Sequence, residues 1–360
     1  MKKIFFNIFL FFLTLIIILI VVLSTVGIET KKFNNLVSQK LNQSNNDIKL
    51  NLSSIKFKID IKELSLFLGT VDPSIEYRET IIPVKSVKVY IDFFSILKSK
   101  TRIEKINLNF NDIDINQLKK ISLSFKPSNF KSLINNKINK GKINTNIDIY
   151  LDNNNLFDDF IARGSVSDLE IKVNENFNLR ETNFSFFADK TDVLIKKISS
   201  KLLSSKIEDG DLKLKFSPDI FLEANFVSVV KFDNELNNPF KFLKNVRHVK
   251  NIEKFESRLK NSISIVFDKT YKIKNYKFKS EGKVQSGSLN FINPQKNKFL
   301  NKKINRLSIS NSELSANFNQ KEKKIALSGK YSLNQGKLLK YDLKNIIKDD
   351  LSNLIFNLNY

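Results

Sequence analysis

From residue 47 onwards, apolar and polar side chains alternate in short runs with a period of two. In the segment VKSVKVYID, Val87, Val89 and Ile91 alternate with Lys88 and Tyr90. Successive side chains of a β-strand point to opposite faces of its sheet, so each run predicts a strand with one apolar and one polar face. Because these runs follow one another along most of the chain, the sequence predicts a mainly β protein with a long antiparallel sheet that is wetted on one side.

The apolar face of such a sheet must be buried against something. A second sheet would close it into a sandwich, whereas the acyl chains of lipids would occupy a curled, open sheet. Alternation alone is compatible with both structures. The candidate lining residues are the apolar positions of four predicted strands: Val87, Val89, Ile91, Ile106, Leu108, Phe110, Ile147, Ile149, Leu222, Phe226 and Val230.

The N-terminal segment from Ile4 to Gly27 contains no charged residue and few polar ones. As a helix with a rise of about 1.5 Å per residue it would extend roughly 36 Å, and the hydrocarbon core of a bilayer is about 30 Å thick. The apolar region of a cleavable signal peptide is shorter, and the sequence VLSTVGIE matches a small-x-small cleavage site poorly. We therefore predict an uncleaved transmembrane anchor over residues 1–28.

The charges beside this segment suggest its orientation. Lys2, Lys3 and the terminal amine favour a cytoplasmic N-terminus, although Lys31 and Lys32 lie on the other flank. The prediction is a single-pass protein with residues 1–3 in the cytoplasm and the body, from about residue 30, on the far side of the membrane.

Two helices are predicted outside the anchor. Within residues 29–45, the sequence KKFNNLVSQKLNQ places Phe33, Leu36, Val37 and Leu41 on one face of a short amphipathic helix. This membrane-proximal helix could cap the end of a sheet or lie on the bilayer surface. A helical insertion is predicted over residues 233–260, where an Asn-Pro pair precedes apolar residues at helical spacing: Phe240, Leu243, Val246, Ile252, Phe255 and Leu259.

The residue types needed for catalysis are scarce. The chain has no cysteine and a single histidine, His248, which excludes disulfides, thiol nucleophiles and paired histidine ligands. Asp112 and Asp114 stand in an acid-x-acid arrangement, but they alternate with isoleucines as the polar positions of a strand end do. We expect no enzymatic activity, no catalytic residue, no metal site and no cofactor.

The chain is strongly basic, with 60 Lys and Arg against 37 Asp and Glu and a net charge of +23. Such an excess raises nucleic acid or an anionic membrane as a partner. The lysines are spread along the whole sequence, and no nucleic-acid-binding motif accompanies them. We therefore expect solvated basic faces and no nucleic-acid partner.

The first 120 residues show a resemblance to a known family. The order is an anchor, the helix FNNLVSQKL, the ladder IKLNLSSIKFKIDIKELSLFL, a connection with Pro73 and Pro83, and then VKVYIDFFSILKSKTRIEKINLNFNDIDI. This order resembles the start of AsmA-like proteins, a superfamily that includes TamB and is related to repeating β-groove, bridge-like lipid-transfer proteins. The resemblance assigns residues 46–232 to an AsmA-like β-groove and 261–360 to continuing β-groove repeats.

The resemblance also implies a function. Proteins of this family are held in the inner membrane of a Gram-negative envelope and have a lipid-lined groove in the periplasm, so the same arrangement is expected of this chain. Its implied partners are phospholipids, the inner membrane and outer-membrane proteins, and its implied role is phospholipid transport towards the outer membrane and outer-membrane homeostasis. The alternative from a different class is an anchored structural β-sandwich, or an assembly factor for outer-membrane proteins, that binds protein rather than lipid.

Overall fold

A computed structural model describes residues 2–31, 34, 48–60, 65–77, 80–92, 102–123, 129–154, 156–172, 178–203, 205–216, 218–232, 249–295, 303–349 and 351–358. The predicted fold class is confirmed: an apolar N-terminal helix precedes a mainly β chain with one large antiparallel sheet and few short helices. Among the described residues, seventeen strands belong to this sheet and three short strands form a second sheet.

The chain forms two compact units. Unit 1 comprises Met1–Asn136 and Lys142–Gly164, and unit 2 comprises Lys137–Gly141 and Ser165–Tyr360. The boundary between them crosses two strands, β9 (Ile138–Leu151) and β10 (Phe157–Lys172), so each of these strands contributes residues to both units.

Unit 1 begins with the helix α1 (Lys2–Thr25). Its strands before β9 are β1 (Ile28–Thr30), β2 (Ile48–Asn51), β3 (Ser54–Asp60), β4 (Ser65–Val71), β5 (Ser74–Tyr77), β6 (Thr80–Ile82), β7 (Ser86–Asp92) and β8 (Ile103–Asp114). Two short helices, α2 (Ile115–Leu123) and α3 (Asn129–Lys137), connect β8 to β9. The main sheet of the unit has the strand order β1-β3-β4-β7-β8-β9, and β2, β5 and β6 form the small sheet.

Helix α1 is long and apolar enough to cross a membrane, and the described residues of unit 1 leave nearly all of its apolar side chains exposed. The helix ends at a glycine in the left-handed region, Gly27, with φ of 75°. The amides of Val26 and Gly27 both donate hydrogen bonds to the carbonyl of Val22, and these bonds close the last turn of the helix. Strand β1 therefore starts directly after the end of the apolar helix.

A buried core lies where the main sheet of unit 1 meets the small sheet. It consists of Val84, Val87, Phe110 and Ile113. Partly buried residues pack around this core from the small sheet (Ile75 and Ile82), from α2 (Leu118) and from neighbouring strands. At this end of the sheet the apolar face is therefore covered by protein.

Helix α2 begins at a reciprocal cap. The Asp114 carboxylate accepts hydrogen bonds from the amides of Asn116 (2.7 Å) and Gln117 (2.9 Å), and the Gln117 side chain accepts from the amide of Asp114 (3.1 Å). This arrangement is a capping box. Asp114 thus starts a helix at the end of a strand, and Asp112 lies at a β-bulge with φ of 50°.

Unit 2 continues from β10 as a series of antiparallel hairpins in which each strand pairs with the next. Its further strands are β11 (Asn178–Ala188), β12 (Asp192–Leu202), β13 (Ser205–Lys215), β14 (Ile220–Phe232), β15 (Val249–Phe267), β16 (Ile273–Gln295), β17 (Ile304–Asn319), β18 (Glu322–Leu333), β19 (Leu339–Lys348) and β20 (Leu351–Leu358).

Bulges interrupt the ladder of unit 2 at several strands. Register shifts surround Glu181, Lys197, Asp209 and Asn311, and each of these residues has a positive φ between 46° and 56°. Asp168 in β10 has φ of 56°, and Val166 and Leu169 on either side of it are both buried although they differ in parity, as expected at a bulge. An extra residue in one strand bends that strand and restores the apolar side chains to one face.

Two hairpin turns of unit 2 are organised by aspartates. The amides of Thr191 and Asp192 donate to the Asp189 carboxylate, and these hydrogen bonds hold the pKa of Asp189 below its ordinary value. Hydrogen bonds from the Thr270 hydroxyl and the Lys272 amide lower the pKa of Asp268 in the same way. Both carboxylates are therefore ionised at neutral pH and keep these turns ordered.

The helical insertion predicted over residues 233–260 is wrong for the part that the structure describes. Residues 249–260 belong to β15, which pairs with β16 along its length and with β14 from Phe255 to Phe267. The spacing of three between Ile252 and Phe255 arises from a register shift between Ile252 and Lys254, and it resembles one helical turn in the sequence. Residues 233–248, including His248, lie outside the described residues.

Candidate functional site

A row of apolar residues crosses the main sheet of unit 1 in register, starting beside the end of α1. Ile28 is opposite Phe57, and the pairing continues from strand to strand on the same face. The complete row is Ile28, Phe57, Leu68, Val89, Ile106 and Ile149. We call these six residues the proximal row. Three of the predicted lining residues, Val89, Ile106 and Ile149, thus lie in one register row with Ile28 of β1, the first strand after the helix.

The proximal row is only half-buried. Phe57, Leu68, Val89, Ile106 and Ile149 are all intermediate in exposure, and Ile28 is exposed. Side chains of one sheet can cover one another in part, but a face packed against a second protein layer is buried more completely. The proximal row therefore presents an apolar surface that other described residues do not fully cover.

The next row of predicted lining residues has a different environment. Val87 pairs with Leu108, and Leu108 pairs with Ile147, on the same face as the proximal row. Val87 is only 6% exposed and Phe110, further along β8, only 8%, because both belong to the core beneath the small sheet and α2. Ile91 is at the opposite end, is 9% exposed and pairs with Leu66. Along β7 the apolar face is thus buried at Val87 on one side of the proximal row and at Ile91 on the side of α1, and it is half-open in the row itself.

The junction between α1 and the sheet is tightly packed. The Lys58 amine donates a hydrogen bond of 2.8 Å to the carbonyl of Thr25, in the last turn of the helix. Gly27 lies against the backbone of β3, where a Cβ would come within 2.6 Å of the Phe57 carbonyl oxygen. A lysine at a helix C-terminus complements the partial negative charge there. These contacts fix the start of the proximal row to the end of the apolar helix.

Unit 2 also carries a continuous apolar face. One register row runs through seven neighbouring strands: Phe186, Ile195, Leu212, Ala224, Ile263, Phe278 and Phe318. The predicted lining residues Leu222, Phe226 and Val230 belong to the same face of β14, since they share its parity with Ala224. All three are half-buried.

The opposite face of β14 is mixed. Glu223, Asn225 and Lys231 are exposed on it, next to Val227 and Val229, which are half-buried, and Phe221, which is exposed. On neighbouring strands this face carries ion pairs between side chains, including Lys196 with Asp211 and Arg258 with Glu208. The polar face of unit 2 is therefore the solvated face, and it accommodates much of the lysine excess.

Small polar residues interrupt the apolar face of unit 2, and the sequence pattern gave little sign of them. The Asn261 amide donates to the Ser228 hydroxyl (2.9 Å), and Tyr341 donates from its hydroxyl to Ser312 (2.8 Å). Burial raises the pKa of Tyr341 above its ordinary value, so this hydroxyl remains a donor at neutral pH. The sequence signals these polar interruptions only by a serine, Ser228 or Ser312, at a position where the alternating pattern would otherwise have an apolar residue.

The residues predicted for the membrane-proximal helix, Phe33, Leu36, Val37 and Leu41, lie outside the described residues. Asn34, which is described, donates a hydrogen bond of 2.9 Å from its amide to the carbonyl of Ser53. Ser53 precedes β3 at the end of that strand away from α1. This contact ties the start of the segment to the sheet.

The ionisable residues of the described part of the chain form no group of three or more His, Asp or Glu side chains able to hold a metal ion. Asp148, which is only 6% exposed, accepts hydrogen bonds from Asn107 (2.6 Å) and Arg163 (2.5 Å) on the polar face of unit 1. The carboxylate is thus held between an amide and a guanidinium. This network links β8, β9 and β10 rather than presenting a reactive group to a cleft.

Comparison of the chain with protein-family models, curated proteins and solved structures found no match.

Proposed function

We propose that this chain is an inner-membrane-anchored protein that carries phospholipids on its apolar sheet face, between the inner and outer membranes of a Gram-negative envelope. In this role it contributes to outer-membrane homeostasis, as the resemblance to AsmA-like proteins implies. It acts without catalysis or cofactor, its body is periplasmic, and outer-membrane proteins are its further partners rather than nucleic acid.

The proximal row is the observation that carries the proposal. It begins at Ile28, three residues after the last residue of a helix able to cross a bilayer, and continues across six strands without a polar side chain. A lipid leaving the bilayer beside α1 would meet an apolar surface at once. Exposing acyl chains to water costs about 0.8 kcal/mol for each CH₂ group, and contact with the apolar face lowers this cost as the lipid leaves the bilayer.

Site-specific photocrosslinking tests whether lipid occupies this face. Benzoylphenylalanine in place of Phe226 keeps an aromatic side chain on the apolar face of β14, and the same group in place of Asn225 probes the opposite face one residue away. After irradiation of living cells, mass spectrometry of the purified full chain should find phospholipid adducts at position 226 and few at position 225. Adducts to a second protein at position 226, with none to lipid, would support the assembly-factor alternative instead.

The proposed topology has its own test. Protease added to spheroplasts should digest everything from about residue 30, because the body is then on the outer side of the inner membrane. Full protection of the body in spheroplasts, with digestion only after lysis, would place it in the cytoplasm and contradict the proposal. A cytoplasmic protein that remains intact during the treatment serves as the control for membrane integrity.

A further inference from the structure

The hairpin between β9 and β10 lies at the same end of the unit 1 sheet as helix α1. Strand β1 leads away from the helix, and the strands alternate in direction through β3, β4, β7, β8 and β9. Strand β9 therefore runs back towards α1, and Ile149 near its end is in register with Ile28. The turn that follows Leu151 is on the helix side of the proximal row.

The tip of this hairpin exposes two large apolar side chains. Leu156 is 63% exposed and Phe157 is 59% exposed. The turn itself is ordered by the Asp152 carboxylate, which accepts from the amides of Asn154 and Leu156 at 2.8 Å each, and by a backbone hydrogen bond from the Asp152 amide to the Leu156 carbonyl. These hydrogen bonds hold the backbone of Asp152, Asn154 and Leu156, next to the exposed side chains of Leu156 and Phe157.

We infer that the hairpin tip inserts Leu156 and Phe157 into the bilayer that α1 crosses, and so forms a second membrane contact of unit 1. Exposed leucine and phenylalanine side chains partition into the boundary between headgroups and acyl chains, about 5–10 Å deep. The contact is apolar rather than electrostatic, because Asp158 and Asp159 follow directly and would be repelled by anionic lipids. With α1 it would hold this end of the unit 1 sheet against the membrane surface.

The absence of tryptophan from the chain makes a direct test possible. A Phe157→Trp variant of the full chain contains a single tryptophan, which can be excited selectively over the tyrosines, and it can be reconstituted in phosphatidylcholine vesicles. Nitroxide-labelled phosphatidylcholine, with the label either near the headgroup or near the methyl end, then quenches a tryptophan at the corresponding depth. We expect strong quenching of Phe157→Trp by the shallow label and weaker quenching by the deep one.

Two matched variants make the result decisive. Ile81→Trp places the fluorophore at another exposed apolar position of unit 1, 69% exposed, in the small sheet at the covered end, where no quenching is expected. Phe9→Trp places it within the apolar span of α1, inside the hydrocarbon core, where the deep label should quench. If Phe157→Trp behaves like Ile81→Trp while Phe9→Trp is quenched, the hairpin contact is refuted.

This inference rests on the membrane anchor of the proposed function and not on lipid transport. Absence of quenching at Phe9→Trp would refute the anchor itself and, with it, the hairpin contact. Leu156→Trp provides a second reporter at the tip if Phe157→Trp fails to fold, and it should show the same preference for the shallow label. Lipid transport is judged separately by the photocrosslinking at position 226.

Discussion

Val89→Glu is expected to reduce the phospholipid that co-purifies with the gently extracted full chain about tenfold, which corresponds to roughly 1.4 kcal/mol of lost binding free energy. Val89 lies in the middle of the proximal row, between Leu68 and Ile106, and is half-buried. A carboxylate at this position must lose its hydration when an acyl chain contacts it, and this desolvation is costly. Lipid mass spectrometry of the purified protein measures the effect.

Ser86→Glu is the matched control for this variant. It adds the same charge to the same strand, but Ser86 has the parity of Lys88 and therefore belongs to the opposite face. Its phospholipid content should equal that of the unmodified chain. Equal losses of phospholipid in both variants would indicate damage to the fold. If the unmodified chain carries no phospholipid, the lipid proposal is refuted and a structural or partner-binding sheet is favoured.

Gly282→Ala should have the largest effect on stability. Gly282 in β16 has φ of 154°, and a Cβ there would be 2.3 Å from the carbonyl oxygen of Arg258 and 3.0 Å from the Cα of Leu259. Both atoms belong to the backbone of β15, so neither can rotate away. We expect unit 2 to lose about 2–4 kcal/mol from backbone strain and overpacking, and its unfolding temperature in detergent to fall by about 4–12 °C.

The control for this substitution is Gly69→Ala in β4. A Cβ at Gly69 has its nearest neighbour, the carbonyl oxygen of Lys56, at 3.7 Å, which is ordinary van der Waals contact. This variant should unfold within about a degree of the unmodified chain, because surface substitutions without a clash rarely change stability by more than about 0.5 kcal/mol. Equal unfolding temperatures for the two variants would show that the β15 backbone can move away from a Cβ at position 282, so that the close approach there is not rigid.

The geometry of unit 1 indicates which part of the apolar face would contact lipid in the proposed function. The apolar face is half-open in the proximal row and closed at Val87 and Phe110 by the small sheet and α2. Acyl chains would therefore contact the proximal row, whereas the covered residues stabilise the unit. Of the lining residues predicted in unit 1, Val89, Ile106 and Ile149 are the ones on which lipid contact now rests.

The sequence by itself determined the faces of the strands and the apolar helix. Alternation placed Val89, Ile106 and Ile149 each on the apolar face of its own strand without any knowledge of neighbouring strands, because successive side chains of a strand point to opposite faces. The length and lack of charge of residues 4–27 likewise defined a helix able to cross a membrane. The capping box from Asp114 to Gln117 was also present in the sequence, although alternation suggested a strand end instead.

Only the tertiary structure decided how these faces are joined and covered. The register that links Ile28 to Ile149 depends on five strand pairings, and no local pattern specifies them. Burial of Val87 beneath α2 and the small sheet, and the close backbone approach at Gly282, are contacts between segments distant in the chain. The bulge beside Ile252 made a strand resemble a helix, because a bulge shifts the parity of a strand and the sequence shows only the spacing that results.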